Sequence, residues 1–311
     1  MDSLYTNLRG MLVGLAVGDA LGAPVEFMMP GAFEPVSDYR TGGPHNLPAG
    51  YWTDDTSMAL CSGVSLCLQN GFDPRDQMER FTRWFRQGYL SSTGRCFDIG
   101  NRTRAALTRF ERTGEAFAGE ESFDSAGNGA LMRLAPVALY YHQELESALE
   151  IAREHSRLTH ADIRCLEANE LLVWMLWHLS RGMDKEALFD AVQARADRFT
   201  DAEMMLLARG SFLQLQPPLI RGSGYVVKSL EAALWAFAQS SSFAEGALMA
   251  VNLGDDADTT GAIYGQIAGA FYGYEAIPQH WRSGLYQHDR IVALSDALIQ
   301  RSAVNLPEEW H

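Results

Sequence analysis

Apolar residues recur along this chain at spacings of three and four positions, which is the period of an amphipathic α-helix. Alternation of apolar and polar residues, the pattern of a half-buried strand, is nearly absent. Gly22 and Pro24 end the first helical segment, and Pro217-Pro218 lies in a long loop. The pattern predicts an all-α protein, a compact many-helix orthogonal bundle, with helices at 4–21, 56–69, 75–87, 103–113, 131–141, 161–179, 185–195, 227–238 and 257–272.

Glycine recurs at every fourth position in the first and in the last of these segments. The series consists of Gly10, Gly14, Gly18, Gly261, Gly265, Gly269 and Gly273. An interior helical glycine costs about 1 kcal/mol relative to alanine, so such a series indicates that two backbones approach closely. We predict that segments 4–21 and 257–272 pack against each other and bring Asp19 toward Asp256.

The composition is that of an ordinary globular protein, with 311 residues, 47% of them hydrophobic and 21% charged. No linker-like stretch, charge block or repeat marks a boundary, so we expect one domain over 1–311. The formal net charge of −14 argues against nucleic acid as a partner, because binding to phosphates needs clustered Lys and Arg. No uninterrupted apolar run reaches the roughly 18 residues of a membrane span, so no membrane partner is expected.

The cysteines favour a reduced, cytoplasmic setting. No C-x-x-C pair is present, and a free Cys in apolar helical sequence behaves as a small hydrophobic residue. The apolar stretch 11–18 resembles a signal peptide only weakly, because Asp19 interrupts it. The four cysteines are Cys61, Cys67, Cys96 and Cys165.

Two acidic clusters stand about two hundred residues apart, each at the start of a predicted helix. Asp and Thr also cap helices, so capping would explain either cluster alone. Both clusters, however, carry more carboxylates than a cap uses and lie in apolar sequence, where buried carboxylates need a counter-charge. Oxygen ligands of this kind suit Mg²⁺ or Mn²⁺, so we expect a shared cation centre. The clusters are Thr53-Asp54-Asp55-Thr56 and Asp255-Asp256-Ala257-Asp258-Thr259-Thr260.

Five motifs occur in a specific order, namely 10–22, 53–56, 127–133, Thr159-His160 and 256–262. Together they resemble the ADP-ribosylglycohydrolase family, and in particular its bacterial branch of dinitrogenase reductase-activating glycohydrolases, over essentially the whole chain. The resemblance implies an all-α fold with a central cleft that holds two divalent cations, Mg²⁺ or Mn²⁺. It implies the metal ligands Thr53, Asp54, Asp55, Asp256, Asp258 and Thr259.

Two further carboxylates match catalytic positions of that family. Glu26 follows the first helix in Pro24-Val25-Glu26-Phe27 and matches a glutamate that lies over the substrate ribose and the metals. Asp98 matches a carboxylate of the bacterial branch that engages the ribose or the acceptor. Without the resemblance, Glu26 would be interpreted as a solvated loop residue and Asp98 as an N-cap for the helix near Thr103.

The predicted ligand-binding residues are Ser125, Gly127, Asn128, Gly129, His160 and Tyr225. The segment 127–129 precedes a predicted helix, so its N–H groups could receive a diphosphate, although Gly-Asn-Gly also forms ordinary turns. Ser125 could add a hydroxyl contact. His160 resembles the family histidine beside the nucleotide, and we assign it to binding only. Tyr225 lies in a loop typical of bacterial members, where it could line the cleft or simply pack in the core.

The resemblance implies a metal-dependent ADP-ribosyl hydrolase that cleaves an N-glycosidic bond. The expected substrate is an ADP-ribosylated protein, modified on arginine by analogy with the bacterial branch, and the expected product is ADP-ribose. The same chemistry on serine, on a nucleic-acid base or on O-acetyl-ADP-ribose is an alternative. A non-catalytic ADP-ribose-binding protein is a second alternative, although such a protein would not need a complete set of ligands.

Overall fold

The computed structural model describes residues 3–304 and 306–310, apart from the side chain of Phe123. Within these residues the chain forms fourteen α-helices and no β-strand, which confirms the all-α prediction. The helices are α1 (Ser3–Gly22), α2 (Asp54–Leu68), α3 (Pro74–Gln87), α4 (Asn101–Thr113), α5 (Ala135–Tyr140), α6 (Leu145–Arg157), α7 (Ile163–Ser180), α8 (Lys185–Ala194), α9 (Ala202–Ala208), α10 (Val226–Gln239), α11 (Phe243–Val251), α12 (Ala257–Tyr272), α13 (Gln279–Gly284) and α14 (His288–Gln300).

Each of the nine predicted segments contains a helix, but one prediction is substantially wrong at its start. The helix predicted over 131–141 begins only at Ala135, and residues 129–133 form a turn instead. Pro136 explains the shift, because a proline interior to a helix lacks an N–H donor and its ring collides with the carbonyl four residues earlier. Five helices were not identified from the sequence, namely α6, α9, α11, α13 and α14.

Helices α1 and α12 pack directly against each other through their glycines, as predicted. A Cβ atom added to Gly14 would collide with the carbonyl oxygen of Gly265, and one added to Gly18 would collide with that of Gly261. Any larger side chain would therefore force the two backbones apart. The close approach places Asp19, near the end of α1, beside the start of α12.

Helix α1 with the short 3₁₀ turn that follows it, Ser3–Val25, is long and apolar enough to cross a membrane by length and composition. The sequence analysis did not identify it because Asp19 interrupts the apolar run. In the folded protein 94% of the relevant window is buried, and Leu12, Val13 and Leu15 are completely buried. The core helix of a globular protein passes the same test, so this helix is weak evidence for a membrane.

Candidate active site

A cavity of about 1010 Å³ opens between the first turns of α2, α4 and α12 and the loops around residues 127 and 223. Most of the predicted site residues line it. The exceptions are Thr53 and Asp55, which lie beneath its floor, and Ser125. The lining includes Glu26, Asp54, Asp98, Gly127, Asn128, Gly129, His160, Tyr225, Asp256, Asp258 and Thr259.

The two acidic clusters meet at the floor of this cavity. The hydroxyl oxygen of Thr53 lies 3.0 Å from Oδ2 of Asp258 and 3.2 Å from Oδ2 of Asp55. On the other side, the Thr259 hydroxyl lies 3.5 Å from the same oxygen of Asp55. Oxygens of Asp54 and Asp258 also approach within 4.8 Å of each other. Residues two hundred positions apart in sequence thus share one buried polar cluster.

A further buried carboxylate, Asp19, organises the start of α2. Its Oδ1 accepts hydrogen bonds from the Thr53 N–H and hydroxyl, both at 2.9 Å. Its Oδ2 accepts from the N–H of Thr56 at 3.0 Å and from its hydroxyl at 2.6 Å. Thr53 itself makes no side-chain cap, so Asp19 caps α2 from a neighbouring helix. Burial raises the pKa of Asp19 to about 6, although these donors counteract it.

The cluster has more hydrogen-bond acceptors than hydrogen-bond donors. The single hydroxyl hydrogen of Thr53 faces Asp19, Asp55 and Asp258, and it can satisfy only one of them. Oδ1 of Asp55 and Oδ1 of Asp258 are buried and have no hydrogen-bond partner among the residues that the structure describes. Buried acceptors without a partner are costly, so this arrangement calls for bound protons or cations.

Burial is the main reason that the pKa values of these carboxyls are raised. The pKa lies well above its ordinary value for Asp54, Asp55 and Asp258, because each is desolvated and each faces other carboxylates. The pKa of Asp256 is also raised by burial, and a hydrogen bond of 2.7 Å from Asn128 Nδ2 opposes the shift. Carboxylate and hydroxyl oxygens are the ligands that hard divalent cations prefer. The donor set therefore fits Mg²⁺ or Mn²⁺.

Above this floor, His45 lies between Glu26 and Asp98. Its Nε2 is 3.0 Å from Oε2 of Glu26 and 3.2 Å from Oδ1 of Asp98. Hydrogen bonds to Asp98 and Glu26 raise the pKa of His45 to about 10. Burial raises the pKa of Glu26 to about 8 against the effect of its hydrogen bond with His45. The sequence analysis did not identify His45, because a single histidine in an aperiodic loop carries no signal of its own.

Asp98 does not cap the helix that follows it. Helix α4 begins at Asn101, and its N-cap is Gly100 without a side-chain cap. The capping interpretation of Asp98 was therefore wrong. The backbone at Asp98 instead adopts the left-handed conformation with φ of 60°, which is uncommon for a residue other than glycine.

The loop 127–129 precedes a turn and not a helix, because α5 starts only at Ala135. The N–H of Gly127 donates to the carbonyl of Ser125 at 2.8 Å, and the N–H of Asn128 donates to that of Gly224 at 3.1 Å. These two N–H groups are thus engaged within the protein. The Ser125 hydroxyl is buried and donates to the Glu120 carbonyl at 2.9 Å. This hydrogen bond stabilises the loop.

The ring of His160 explains why glycines flank Asn128. A Cβ atom on Gly129 would lie 2.8 Å from Cε1 of His160, and one on Gly127 would lie 3.1 Å from Nε2. His160 is buried, and its Nδ1 lies 2.8 Å from the hydroxyl of Thr159. Burial and the nearby Arg133 lower the pKa of His160 to about 3, so the ring is neutral.

Tyr225 lines the cavity and is only partly buried, so it does not serve core packing alone. Its hydroxyl accepts a hydrogen bond from Arg164 Nη1 at 3.1 Å. Two bonds of 2.7 and 2.9 Å hold the guanidinium of Arg164 against Asp162. Burial raises the pKa of Tyr225 to about 12, and a hydrogen bond with Glu203 adds to this shift, so the hydroxyl stays protonated.

A family model described as ADP-ribosylglycohydrolase matches residues 1–307. ADP-ribosylarginine hydrolase Tri1 from Pseudomonas putida (strain GB-1) is 40% identical over 301 residues, which are 97% of this chain and 80% of the relative. ADP-ribosyl-[dinitrogen reductase] glycohydrolase from Rhodospirillum rubrum is 32% identical over 291 residues, which are 91% of both chains. A solved structure called ADP-ribosylglycohydrolase-related protein complex is 44% identical with a TM-score of 0.87, over 97% of this chain and 100% of that one. The chain therefore belongs to the ADP-ribosylglycohydrolase family and is a hydrolase of the glycosidase type.

Proposed function

We propose that this protein is a metal-dependent hydrolase that removes ADP-ribose from arginine side chains of modified proteins. The observation that carries the proposal is the buried cluster around Thr53, where oxygens of Asp55 and Asp258 have no hydrogen-bond partner. The arginine linkage is supported by the relatives named ADP-ribosylarginine hydrolase, one 38% and the other 40% identical to this chain.

Two divalent cations, Mg²⁺ or Mn²⁺, fit the six predicted ligands. When bound, they would supply positive charge that stabilises the transition state and would hold ribose hydroxyls and water in place. Asp19 would keep the first cluster in position through its bonds to Thr53 and Thr56. The ligands would be Thr53, Asp54, Asp55, Asp256, Asp258 and Thr259.

Glu26 and Asp98 stand at the cavity wall above these ligands. In the proposed reaction water attacks the anomeric carbon, the carbon–nitrogen bond breaks, and the nitrogen leaves with a proton as part of the unmodified arginine side chain. One of the two carboxyls transfers that proton. Asp98 also suits the planar arginine guanidinium, because a carboxylate can accept two parallel hydrogen bonds from it.

The ADP part of the substrate would occupy the remainder of the cavity, beside His160 and Tyr225. Three cations, Arg102, Arg164 and Arg221, line this part of the wall. Arg102 and Arg164 are held in ion pairs with Glu120 and Asp162, and Arg221 adds local positive charge for a diphosphate in a chain with a net charge of −14. The free cysteines are consistent with a reducing compartment, and we place the reaction in the cytoplasm.

The test is turnover of a peptide ADP-ribosylated on arginine by the purified protein. We expect release of ADP-ribose, loss of release with a chelator, and recovery when Mg²⁺ or Mn²⁺ is restored. Peptides linked through serine, and free O-acetyl-ADP-ribose, serve as matched substrates. Binding of ADP-ribose without turnover of any of them would identify a non-catalytic binding protein and refute the proposal.

A further inference from the structure

A small hairpin brings His45 to Glu26 and Asp98, the two carboxylates that line the cavity. Gly42 and Leu47 exchange two backbone hydrogen bonds of 2.9 and 3.0 Å, and the N–H of Asn46 donates to Gly43 at 3.1 Å. Four residues thus form a closed turn between the paired positions. His45 lies within this turn, so its backbone position is fixed by its neighbours and not by a long flexible loop.

Gly43 lets the hairpin lie directly against the chain that leads to Glu26. Its φ is +73°, and a Cβ atom there would come within 2.6 Å of the Ala23 carbonyl oxygen and 2.7 Å of Pro24 Cα. Only glycine tolerates both the left-handed backbone and this approach. The hairpin is therefore packed against the segment that ends in Glu26.

The ring of His45 is also held from its sides. Its centroid lies 5.0 Å from the ring of Phe97 and 6.4 Å from that of Phe27, in tilted and edge-on geometry. These two aromatic residues are the immediate neighbours of Asp98 and Glu26 in sequence. Each carboxylate thus arrives next to an aromatic ring that packs on the same imidazole, which fixes both carboxylates relative to His45.

One nitrogen, Nε2 of His45, faces both carboxylates at hydrogen-bond distance. Glu26 is 3% exposed, so two carboxylates this close would repel each other strongly in a medium of low dielectric. The N–H of His45 between them gives each carboxylate an attractive interaction that offsets this repulsion. Side chains whose rotamers are locked in this way are the ones that hold reactive groups in a productive geometry.

We infer that His45 is a positioning residue that holds Glu26 and Asp98 together at one spacing for the glycosidic reaction. The inference rests on the proposed function where activity is the readout. In this proposal the hairpin 42–47 places the His45 imidazole between the two carboxylates that transfer the proton and bind the acceptor.

The first experiment is steady-state turnover of the arginine-linked peptide by His45→Gln in the presence of Mg²⁺. We expect kcat to fall about 100-fold, the size of effect of a misplaced acid or base. The dissociation constant for ADP-ribose, measured by calorimetry, should change less than about threefold, because His45 does not reach the nucleotide part of the cavity. The matched control is His280→Gln, since His280 is 63% exposed and also lies 4.0 Å from a carboxylate, that of Asp38.

Chemical rescue separates positioning from folding. His45→Ala leaves a space beside Glu26 and Asp98, and the wild-type ring that fills this space is 19% exposed, so added imidazole should enter and restore part of kcat. The same imidazole concentration with the wild-type protein and with His280→Gln controls for binding of imidazole to the metals. Unchanged kcat in His45→Gln, or equal losses of kcat, of ADP-ribose affinity and of thermal stability without rescue, would overturn the inference.

A second measurement does not depend on activity. In Mg²⁺-loaded protein labelled with ¹⁵N-histidine, the ring nitrogens of His45 should show the doubly protonated form at pH 7.5. Glu26→Gln and Asp98→Asn should each shift these signals toward the neutral form. If the wild-type protein fails to hydrolyse the arginine linkage but shows these shifts, the proposed function fails and the positioning role stands. A neutral ring that responds to neither substitution refutes the role whatever the activity.

Discussion

Asp19 accepts both the backbone N–H and the hydroxyl of Thr56 on a single carboxylate oxygen, at 3.0 and 2.6 Å. The carboxylate belongs to α1 and the threonine to the first turn of α2, so a side chain from one helix caps another. The second oxygen of Asp19 holds Thr53 in the same way. The position of the first acidic cluster therefore depends on a residue that is not among the expected ligands.

We predict that Asp19→Asn destabilises the protein by about 1–3 kcal/mol, because the amide group cannot accept one pair of these buried hydrogen bonds. Metal affinity should fall about 10–100-fold, which is typical when the partner of a ligand is lost. Denaturant unfolding and calorimetric titration with Mn²⁺ measure the two effects. Asp289→Asn is the control, because the Asp289 side chain is fully exposed. A variant with unchanged metal affinity would contradict the prediction.

Asp54→Asn should abolish turnover of the arginine-linked peptide while the fold survives. The substitution removes a predicted metal ligand, but it also removes one charge from a crowded set of buried carboxyls, which raise each other's pKa. In the presence of a chelator, the free energy of unfolding should therefore stay equal or rise. Activity assays and denaturant unfolding of the same preparation test both parts. Wild-type turnover in this variant would refute the assignment of Asp54 as a ligand.

The stability of the metal-free protein should fall as the pH rises from about 4 to about 8. The pKa values of Asp19 and Glu26 are raised to about 6 and about 8 from ordinary values of 3.8 and 4.5, so the folded state binds more protons over this range. His45 acts in the same direction, because its stabilising contribution is complete below its ordinary pKa of 6.5 and is lost as the pH rises through about 10.

Thermal unfolding followed by circular dichroism, with a chelator and then with Mg²⁺, measures this dependence. The cation binds the ionised carboxylates, so the loss of stability with pH should become smaller when Mg²⁺ is present. Metal-free protein that becomes more stable between about pH 5 and about pH 8 would show that these carboxyls are not protonated in the folded state.

The choice of acceptor is expected to depend on Asp98. We predict that the arginine-linked peptide is hydrolysed much faster than the serine-linked one, because a guanidinium offers several donors and a charge while a serine oxygen offers neither. Asp98→Asn should lose most of this activity and still bind ADP-ribose. Competition between the two peptides, together with calorimetry on the variant, provides the measurement. Preference for the serine linkage would reverse the assignment.

Gly129→Ala should weaken the binding of ADP-ribose. Its new Cβ atom would lie 2.8 Å from Cε1 of His160 and 3.2 Å from the Thr103 hydroxyl, so the imidazole must move in a site where neighbouring groups are tightly packed. Gly284→Ala is the control, since Gly284 is exposed, does not line the cavity, and its Cβ atom would come no closer than 3.3 Å to its nearest neighbour, Tyr39. Calorimetry with ADP-ribose compares the two. Equal affinities would show that His160 and its glycines do not shape the nucleotide site.

The sequence predicts those features of the fold that depend on periodicity. The four-residue glycine repeat was sufficient to pair α1 with α12, because only close backbone contact compensates for glycine in a helix. Helix α6 was missed although it carries the helical pattern, since Leu145, Ala148, Leu149 and Ala152 recur at spacings of three and four residues on the side that packs against the core. The start of α5 was misplaced because the apolar pattern continues on both sides of Pro136. A helix cannot extend far in front of a proline, so α5 begins only at Ala135.

The residues of the candidate site likewise fall into those that the sequence predicts and those that only the structure reveals. Its acidic residues are concentrated in two short motifs, so the sequence is enough to name them. Asp19 and His45 act through hydrogen bonds to residues that are distant in sequence, and these partners are set by how the chain folds and not by any local pattern. The sequence around Gly42–Leu47 does not indicate that a hairpin forms there or that the His45 imidazole contacts Asp98.

The pairing of α1 with α12 has a consequence for how the chain is made. Helix α1 leaves the ribosome well before its partner, which begins only at Ala257, and at about 5–20 residues per second the delay is on the order of ten to fifty seconds. During this time the apolar surface of α1 that α12 will bury remains exposed, and exposed apolar surface of this kind is what chaperones bind. Nascent or truncated chains that end before α12 should therefore aggregate or stay bound to chaperones, and the acidic cluster can assemble only after the start of α12 has been synthesised.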